Sequence, residues 1–170
     1  ILIEAGGGEV KKTNFPSSRT VLDLAIEHDM PANVLDLLLS KCDVNEGSQG
    51  GEAPICIAIK RGKLNIIPQL MAAGASINVP GEYPAETPIM WMVGHPTEHT
   101  VRDIKNLVDL SRKYNREPDF TGALRVAALR EGWDIFDALL GMGADINIRD
   151  KDGRTVLMYV ALNAKDKAVS

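Results

Sequence analysis

Gly74-Ala75-Ser76-Ile77-Asn78 and Gly143-Ala144-Asp145-Ile146-Asn147 are two versions of one short pattern in a chain of 170 residues. Working outward, the closing apolar-Asn pair recurs as Val44-Asn45, Ile77-Asn78, Tyr114-Asn115 and Ile146-Asn147, at spacings of 33, 37 and 32 residues. Seven residues before each pair an apolar doublet begins: Leu37-Leu38, Leu70-Met71, Leu107-Val108 and Leu139-Leu140. Three residues before each doublet stand Val34, Ile67, Ile104 and Phe136. That spacing draws one apolar stripe along a helix, so each unit ends in an amphipathic helix and a turn.

An earlier landmark opens each unit. Thr20-Val21-Leu22, Ala53-Pro54-Ile55, Thr87-Pro88-Ile89, Ala123-Leu124 and Thr155-Val156-Leu157 each precede a short apolar run, which predicts a first helix. Ala25, Ala58 and Ala127 lie 20 residues before Asn45, Asn78 and Asn147, so three units share one internal distance. A fixed period of this length is the mark of a stacked array in which each unit buries its apolar face against its neighbours.

At these residues the chain resembles the ankyrin repeat, a β-turn followed by two antiparallel helices, with a Thr-Pro-Leu-His opening and a Gly-Ala-Asp-(Val/Ile)-Asn close. The two closing stretches quoted first carry the resemblance, together with Asp150-Lys151-Asp152-Gly153-Arg154-Thr155 as a turn before a first helix. The resemblance implies an all-α fold, an ankyrin-repeat α-solenoid of helix-turn-helix units with β-turn or hairpin fingers. Its units run over 15–47, 48–80, 81–117 and 118–149, with partial units at 1–14 and 150–170, and further chain is expected at both ends. The family's opening His is absent: Asp23, Cys56, Met90, Arg125 and Met158 stand in its place. The third unit also carries about three extra residues between Met92 and Ile104, with Pro96 expected in the first turn of its second helix.

Composition narrows the function. With 45% hydrophobic and 25% charged residues, no stretch approaches the roughly 20 apolar residues of a membrane helix, and no secretory leader is visible at Ile1-Leu2-Ile3. Direct membrane insertion is not expected. Cys42 and Cys56 have no ligand-spaced partner, so they read as free thiols in a reducing, cytoplasmic setting. His28, His95 and His99 form no constellation with a nucleophile, and Gly6-Gly7-Gly8 lacks the Lys-Ser/Thr ending of a phosphate loop. No cofactor, no metal and no catalytic residue are expected, and the chain is read as not an enzyme.

The expected function is recognition of a protein or peptide on a concave, finger-lined face. Phe15, Tyr83 and Phe120 place one aromatic on each of three fingers, and Lys60, Arg61 and Arg130 lie at the ends of first helices. Arg149 and Lys151 belong to the last finger. Glu46, Glu52, Glu82 and Glu86 make the middle fingers acidic, which favours a basic partner. The net charge of −4 and this acidic interruption leave no continuous track for nucleic acid. The alternative is an accessory or scaffolding segment of a larger multidomain enzyme, bacterial effector or channel. Trp91 and Trp133 fall on the apolar period and are expected in the core.

Overall fold

The computed structural model describes residues 20–47, 52–79 and 86–169. Among them nine α-helices follow in order: α1 Val21–Glu27, α2 Ala32–Leu39, α3 Pro54–Lys60, α4 Ile67–Ala72, α5 Pro88–Gly94, α6 Thr100–Lys113, α7 Thr121–Leu129, α8 Trp133–Gly141 and α9 Val156–Val169. A 3-10 turn, Leu64–Ile66, leads into α4. The described residues contain no strand, only an isolated antiparallel bridge between Arg149 and Thr155. The all-α expectation therefore holds at the level of class.

Local chemistry explains where the helices start. Thr20 and Asp23 form a reciprocal capping box, in which the Asp23 N–H donates to Thr20 Oγ1 at 3.1 Å and the Thr20 N–H donates to Asp23 Oδ2 at 2.8 Å. Thr87 caps α5 through the Met90 N–H, and Pro54 and Pro88 occupy first-turn positions where no N–H is needed. The first helices α1, α3 and α5 have only seven residues each, well below the roughly 12–15 at which an isolated helix is even marginal in water. Packing must hold them.

That packing runs in two layers. The odd-numbered helices touch in series, α1 to α3, α3 to α5, α5 to α7 and α7 to α9, while α4, α6 and α8 form a second row behind them. The core fills the space between, with Leu22, Ile55, Leu70, Ile89, Leu124 and Leu139 all essentially inaccessible. Each such side chain contributes roughly 1.5–3 kcal/mol by leaving water, enough to outweigh the weak propensity of so short a helix.

Two sets of left-handed turns set the pitch. Asp29, Gly62 and Glu131 have φ of 52°, 69° and 58°, each four residues after Ala25, Ala58 or Ala127. The next N–H groups, of Met30, Lys63 and Gly132, donate back to the carbonyls of those alanines at 3.1, 2.8 and 3.0 Å. At the far end of the second helices Gly74, Asn115 and Gly143 have φ of 110°, 56° and 99°. There the N–H groups of Ala75, Arg116 and Ala144 return to Leu70, Ser111 and Leu139.

Successive closing turns are then joined by asparagine side chains. Asn45 donates from Nδ2 to the Gly74 carbonyl at 3.0 Å and accepts from the Ser76 N–H at 2.9 Å. Asn78 likewise donates to the Glu117 carbonyl at 2.8 Å and accepts from the Asp119 N–H at 2.9 Å. Arg116 fastens the same row from the other side, donating from Nη1 to the Met71 and Ala75 carbonyls. Arg112 donates to the Met142 carbonyl at 2.6 Å.

The third helix pair departs from the expected register. Asn115 does not repeat Asn78; its left-handed backbone puts it where Gly74 and Gly143 sit, and buried Ser111 takes the place of Leu70 and Leu139. Sixteen residues separate Ala58 from Gly74 and Ala127 from Gly143, against 23 from Met92 to Asn115. The excess lies in the 95–99 segment and in α6, which runs for 14 residues where α8 runs for 9. Pro96 precedes α6 rather than opening it. Four residues after Met92 it stands where the other pairs turn left-handed, and a proline locked near φ −65° cannot do so, so this turn is built differently.

One core expectation fails. Trp133 is 48% exposed, and Leu64, at the matching place in the second pair, is 37% exposed. The alignment of the two was right, but the position lies on the outer edge of the second row. Trp133 packs edge-on against Phe136 with centroids 5.7 Å apart. Trp91 is partly buried against the core and stacks on His95 at 4.6 Å.

If the asparagine links carry the joint, Asn78→Ala lowers stability by about 1–3 kcal/mol for two lost hydrogen bonds. Asn147→Ala, whose side chain bonds to no later turn among the described residues, stays within about 0.5 kcal/mol. Urea denaturation of the two variants side by side checks this, and equal midpoints would refute it.

Candidate functional site

The expected surface residues meet different fates. Phe15 and Tyr83 lie outside the described residues, as do Lys11, Lys12, Arg19 and Glu82. Phe120 is only 6% exposed and belongs to the core, because it sits immediately before α7 where the chain turns inward. Its expected role as a finger aromatic offered to a partner is therefore corrected. Two of the expected cations are engaged internally: Lys60 Nζ lies 2.5 Å from Glu52 Oε1, and Arg61 Nη2 lies 2.8 Å from Glu27 Oε1. Glu52 is thereby occupied too. Such pairs at an accessible surface contribute little stability, but they lower the charge that Lys60 and Arg61 present.

Arg130, Arg149 and Lys151 are exposed and make no ion pair among the described residues. Arg149 and Lys151 border an open cleft of about 410 Å³ between the turn at 119–122 and the loop at 148–154. Its floor is formed by Met90, Arg125, Val156 and Tyr159, from α5, α7 and α9. Gly122 leaves room on that floor for the Met90 side chain, whose sulfur would lie 2.2 Å from a Cβ at this position.

The loop is organised by one carboxylate. Asp150 Oδ1 accepts from the N–H groups of Asp152 and Arg154 at 2.9 and 3.0 Å, while Oδ2 accepts from the Tyr159 hydroxyl at 2.6 Å. The Asp150 N–H donates to the Arg154 carbonyl, and Arg149 Nη1 donates to the Gly153 carbonyl. The hydroxyl of Tyr159 and these backbone donors hold the Asp150 carboxyl below its ordinary range. Across the cleft Asp119 Oδ1 accepts from the Thr121 N–H and hydroxyl at 2.9 and 2.6 Å. Two guanidiniums lie over the Tyr159 ring, those of Arg125 at 5.4 Å and Arg154 at 5.8 Å. Cations at the cleft thus outnumber the acids, and two of its three carboxylates are already committed to the fold.

Sequence reasoning missed Arg125, Arg154 and Tyr159 as a group. Arg125 was visible only as a departure at the opening-His position, and nothing local joins α7 to a loop some 25 residues later. Elsewhere, Cys56 is buried and its thiol is pushed up to about 12 by burial, then by Glu52, which disfavours the thiolate. No group of three potential metal-ligating side chains comes together among the described residues. No described helix is long and apolar enough to cross a membrane.

No protein-family model matches the chain, and no curated protein matches it in sequence. Among solved structures it is similar to a chain in that of the Bd0816 predatory endopeptidase from Bdellovibrio bacteriovorus in complex with immunity protein Bd3460. The TM-score is 0.63 and the identity 20%, over 91% of this chain and 80% of that one. At that identity the likeness shows the fold alone. Two expectations are corrected on these findings. Membership of the ankyrin family is not supported: no family model matches the chain, the opening His is missing throughout, and the similar structure is that of an endopeptidase with its immunity protein. The expectation that the chain is not an enzyme is likewise withdrawn, because a peptidase is part of that structure.

The Asp150 network has a testable signature. Because its carboxyl is held below the ordinary value of about 3.9, the ordering it gives the loop is complete above that value and fades as pH falls through the lowered one. Tyr159→Phe should move the Asp150 titration upward, read by NMR from its side-chain carbon. An unmoved midpoint would mean that the hydroxyl does not hold the carboxylate.

Proposed function

We propose that the chain is a protein-binding module whose partner docks across the odd-numbered helix row and the last loop, contacting Arg130, Arg149 and Lys151. The observation that carries this reading is the open cleft at residues 148–154, a concave site on a loop fixed by internal hydrogen bonds and bordered by Arg149 and Lys151, which make no ion pair among the described residues. Pre-ordered surfaces bind with less loss of conformational freedom than mobile ones. Support also comes from the similar solved structure, which is a complex of two proteins, an enzyme and the immunity protein bound to it. By that analogy the partner class is another folded protein, an enzyme among the candidates. The chain's two free cysteines suit a reducing, cytoplasmic setting.

A second reading is favoured by α9, on which Leu157, Met158 and Leu162 are 56, 46 and 54% exposed. In it the array is an accessory segment of a larger protein, and a further helical layer covers this face.

Capture from lysate on the immobilised chain and on an Arg130→Glu/Arg149→Glu/Lys151→Glu variant of equal helicity separates the readings. A protein retained by the wild type and lost by the variant is the expected result. Equal retention by both overturns the assignment of the face, and recovery of the captured protein in clipped rather than intact form replaces binding with peptidase activity.

A further inference from the structure

The cleft between residues 119–122 and 148–154 also indicates the chemistry of what it takes. Arg125, Arg149, Lys151 and Arg154 line it against Asp119, Asp150 and Asp152. A formal count would suggest near balance, but the acids are not equivalent to the bases. Asp119 spends Oδ1 on Thr121, and Asp150 spends both oxygens on its own loop and on Tyr159. The four cations are placed otherwise: no salt bridge holds any of them among the described residues, while Arg149 spends a donor on the Gly153 carbonyl and Arg154 on Tyr159.

Tyr159 gives two of them a fixed direction. A guanidinium lying over an aromatic ring keeps its face on the ring and its N–H edge free. Arg125 and Arg154 both lie close to the Tyr159 ring, at 5.4 and 5.8 Å, and that ring is tethered through its hydroxyl to Asp150, so two guanidiniums share one anchored platform, Arg154 through a hydrogen bond as well. Planar forks match a carboxylate through paired N–H···O bonds. The cleft volume of about 410 Å³ accommodates a few side chains rather than a whole domain.

We infer that this cleft binds an acidic peptide segment of a protein partner, an Asp or Glu carboxylate bridging Arg125 and Arg154 above Tyr159 while Arg149 and Lys151 meet flanking acids. This rests on the protein-binding reading above and specifies it. It also reverses the expectation of a basic partner, since Glu52 of the acidic fingers is paired with Lys60. An acidic peptide suits the site better than nucleic acid does, because a cleft of about 410 Å³ takes a few side chains and offers no extended track for a continuous phosphate backbone.

Fluorescence anisotropy on the full chain tests it with a fluorescein-labelled nonapeptide of alternating Glu and Gly, its Gln and Lys counterparts, and a 20-nucleotide oligothymidylate. The Glu peptide should bind about tenfold or more tightly than the Gln peptide, and lose affinity as salt rises. Arg125→Gln/Arg154→Gln should weaken it about tenfold, and Arg125→Lys, which keeps charge but not the planar fork, should weaken it partially. Lys151→Glu, on an exposed loop position, gives the same direction without touching the Tyr159 platform. Arg102→Gln on α6 should change nothing. Equal binding of the Glu and Gln peptides, tighter binding of the Lys peptide or the oligonucleotide, or full binding by both Lys151→Glu and the double arginine variant each overturns the proposal. If the lysate partner is still captured while the Glu peptide fails, the acidic specificity falls and the protein-binding reading stands.

Discussion

The side-chain amides of Asn45 and Asn78 fix the distance on which the stack depends. An amide offers a donor and an acceptor on one rigid plane, and each of these side chains engages both a carbonyl and an N–H of the following turn. Apolar burial drives the helix pairs together but is non-directional. The paired hydrogen bonds supply the direction, setting where one closing turn lies relative to the next. With that offset fixed, Leu22, Ile55, Ile89 and Leu124 fall in line behind the odd-numbered helices, and helices too short to stand alone become a continuous wall.

The last loop applies the same chemistry inward. Asn147 reaches no later turn among the described residues, and the loop after it is instead gathered onto Asp150. A charged acceptor makes stronger hydrogen bonds than an amide does, and both oxygens of this one are taken up by the loop and by Tyr159. Order in the loop therefore comes from one residue, while the charge of the cleft comes from the cations that line it with Asp119, Asp150 and Asp152. Tyr159 connects the two, through its hydroxyl to Asp150 and through its ring to Arg125 and Arg154.

How much of this was legible follows from what a linear pattern can encode. The helix pairs were, because Leu70-Met71 and Leu139-Leu140 lie on a short period and end at a glycine. The third pair was not: Leu107-Val108 gives the same signal one turn before α6 actually ends, and buried Ser111 in place of a leucine hides the true end. Trp133 aligned correctly with Leu64, yet periodicity places a residue on a face and cannot say how far that face extends under the neighbouring row. Phe120 read as a finger residue from its place between two helices, but it directly precedes α7 and its ring lies in the core. The cleft needed three separate segments brought together, which no local motif announces. The ankyrin resemblance, drawn from two closing stretches and one turn before a first helix, finds no matching family model.

Unequal unit lengths bear on how such a chain can change by recombination. Pairs with sixteen residues between the alanine and the closing glycine present turns of one geometry, so a crossover between the second and fourth pairs joins compatible ends. The third pair is a poor donor and a poor recipient. Its left-handed closing residue is Asn115, its buried helix end is Ser111, and Arg116 is committed to the carbonyls of the preceding pair. Inserted elsewhere, it would carry an arginine that meets no matching carbonyls; removed, it would leave Met71 and Ala75 without their donor. The third pair is thus tied on both sides, through Arg116 to its predecessor and through Arg112 to the pair that follows.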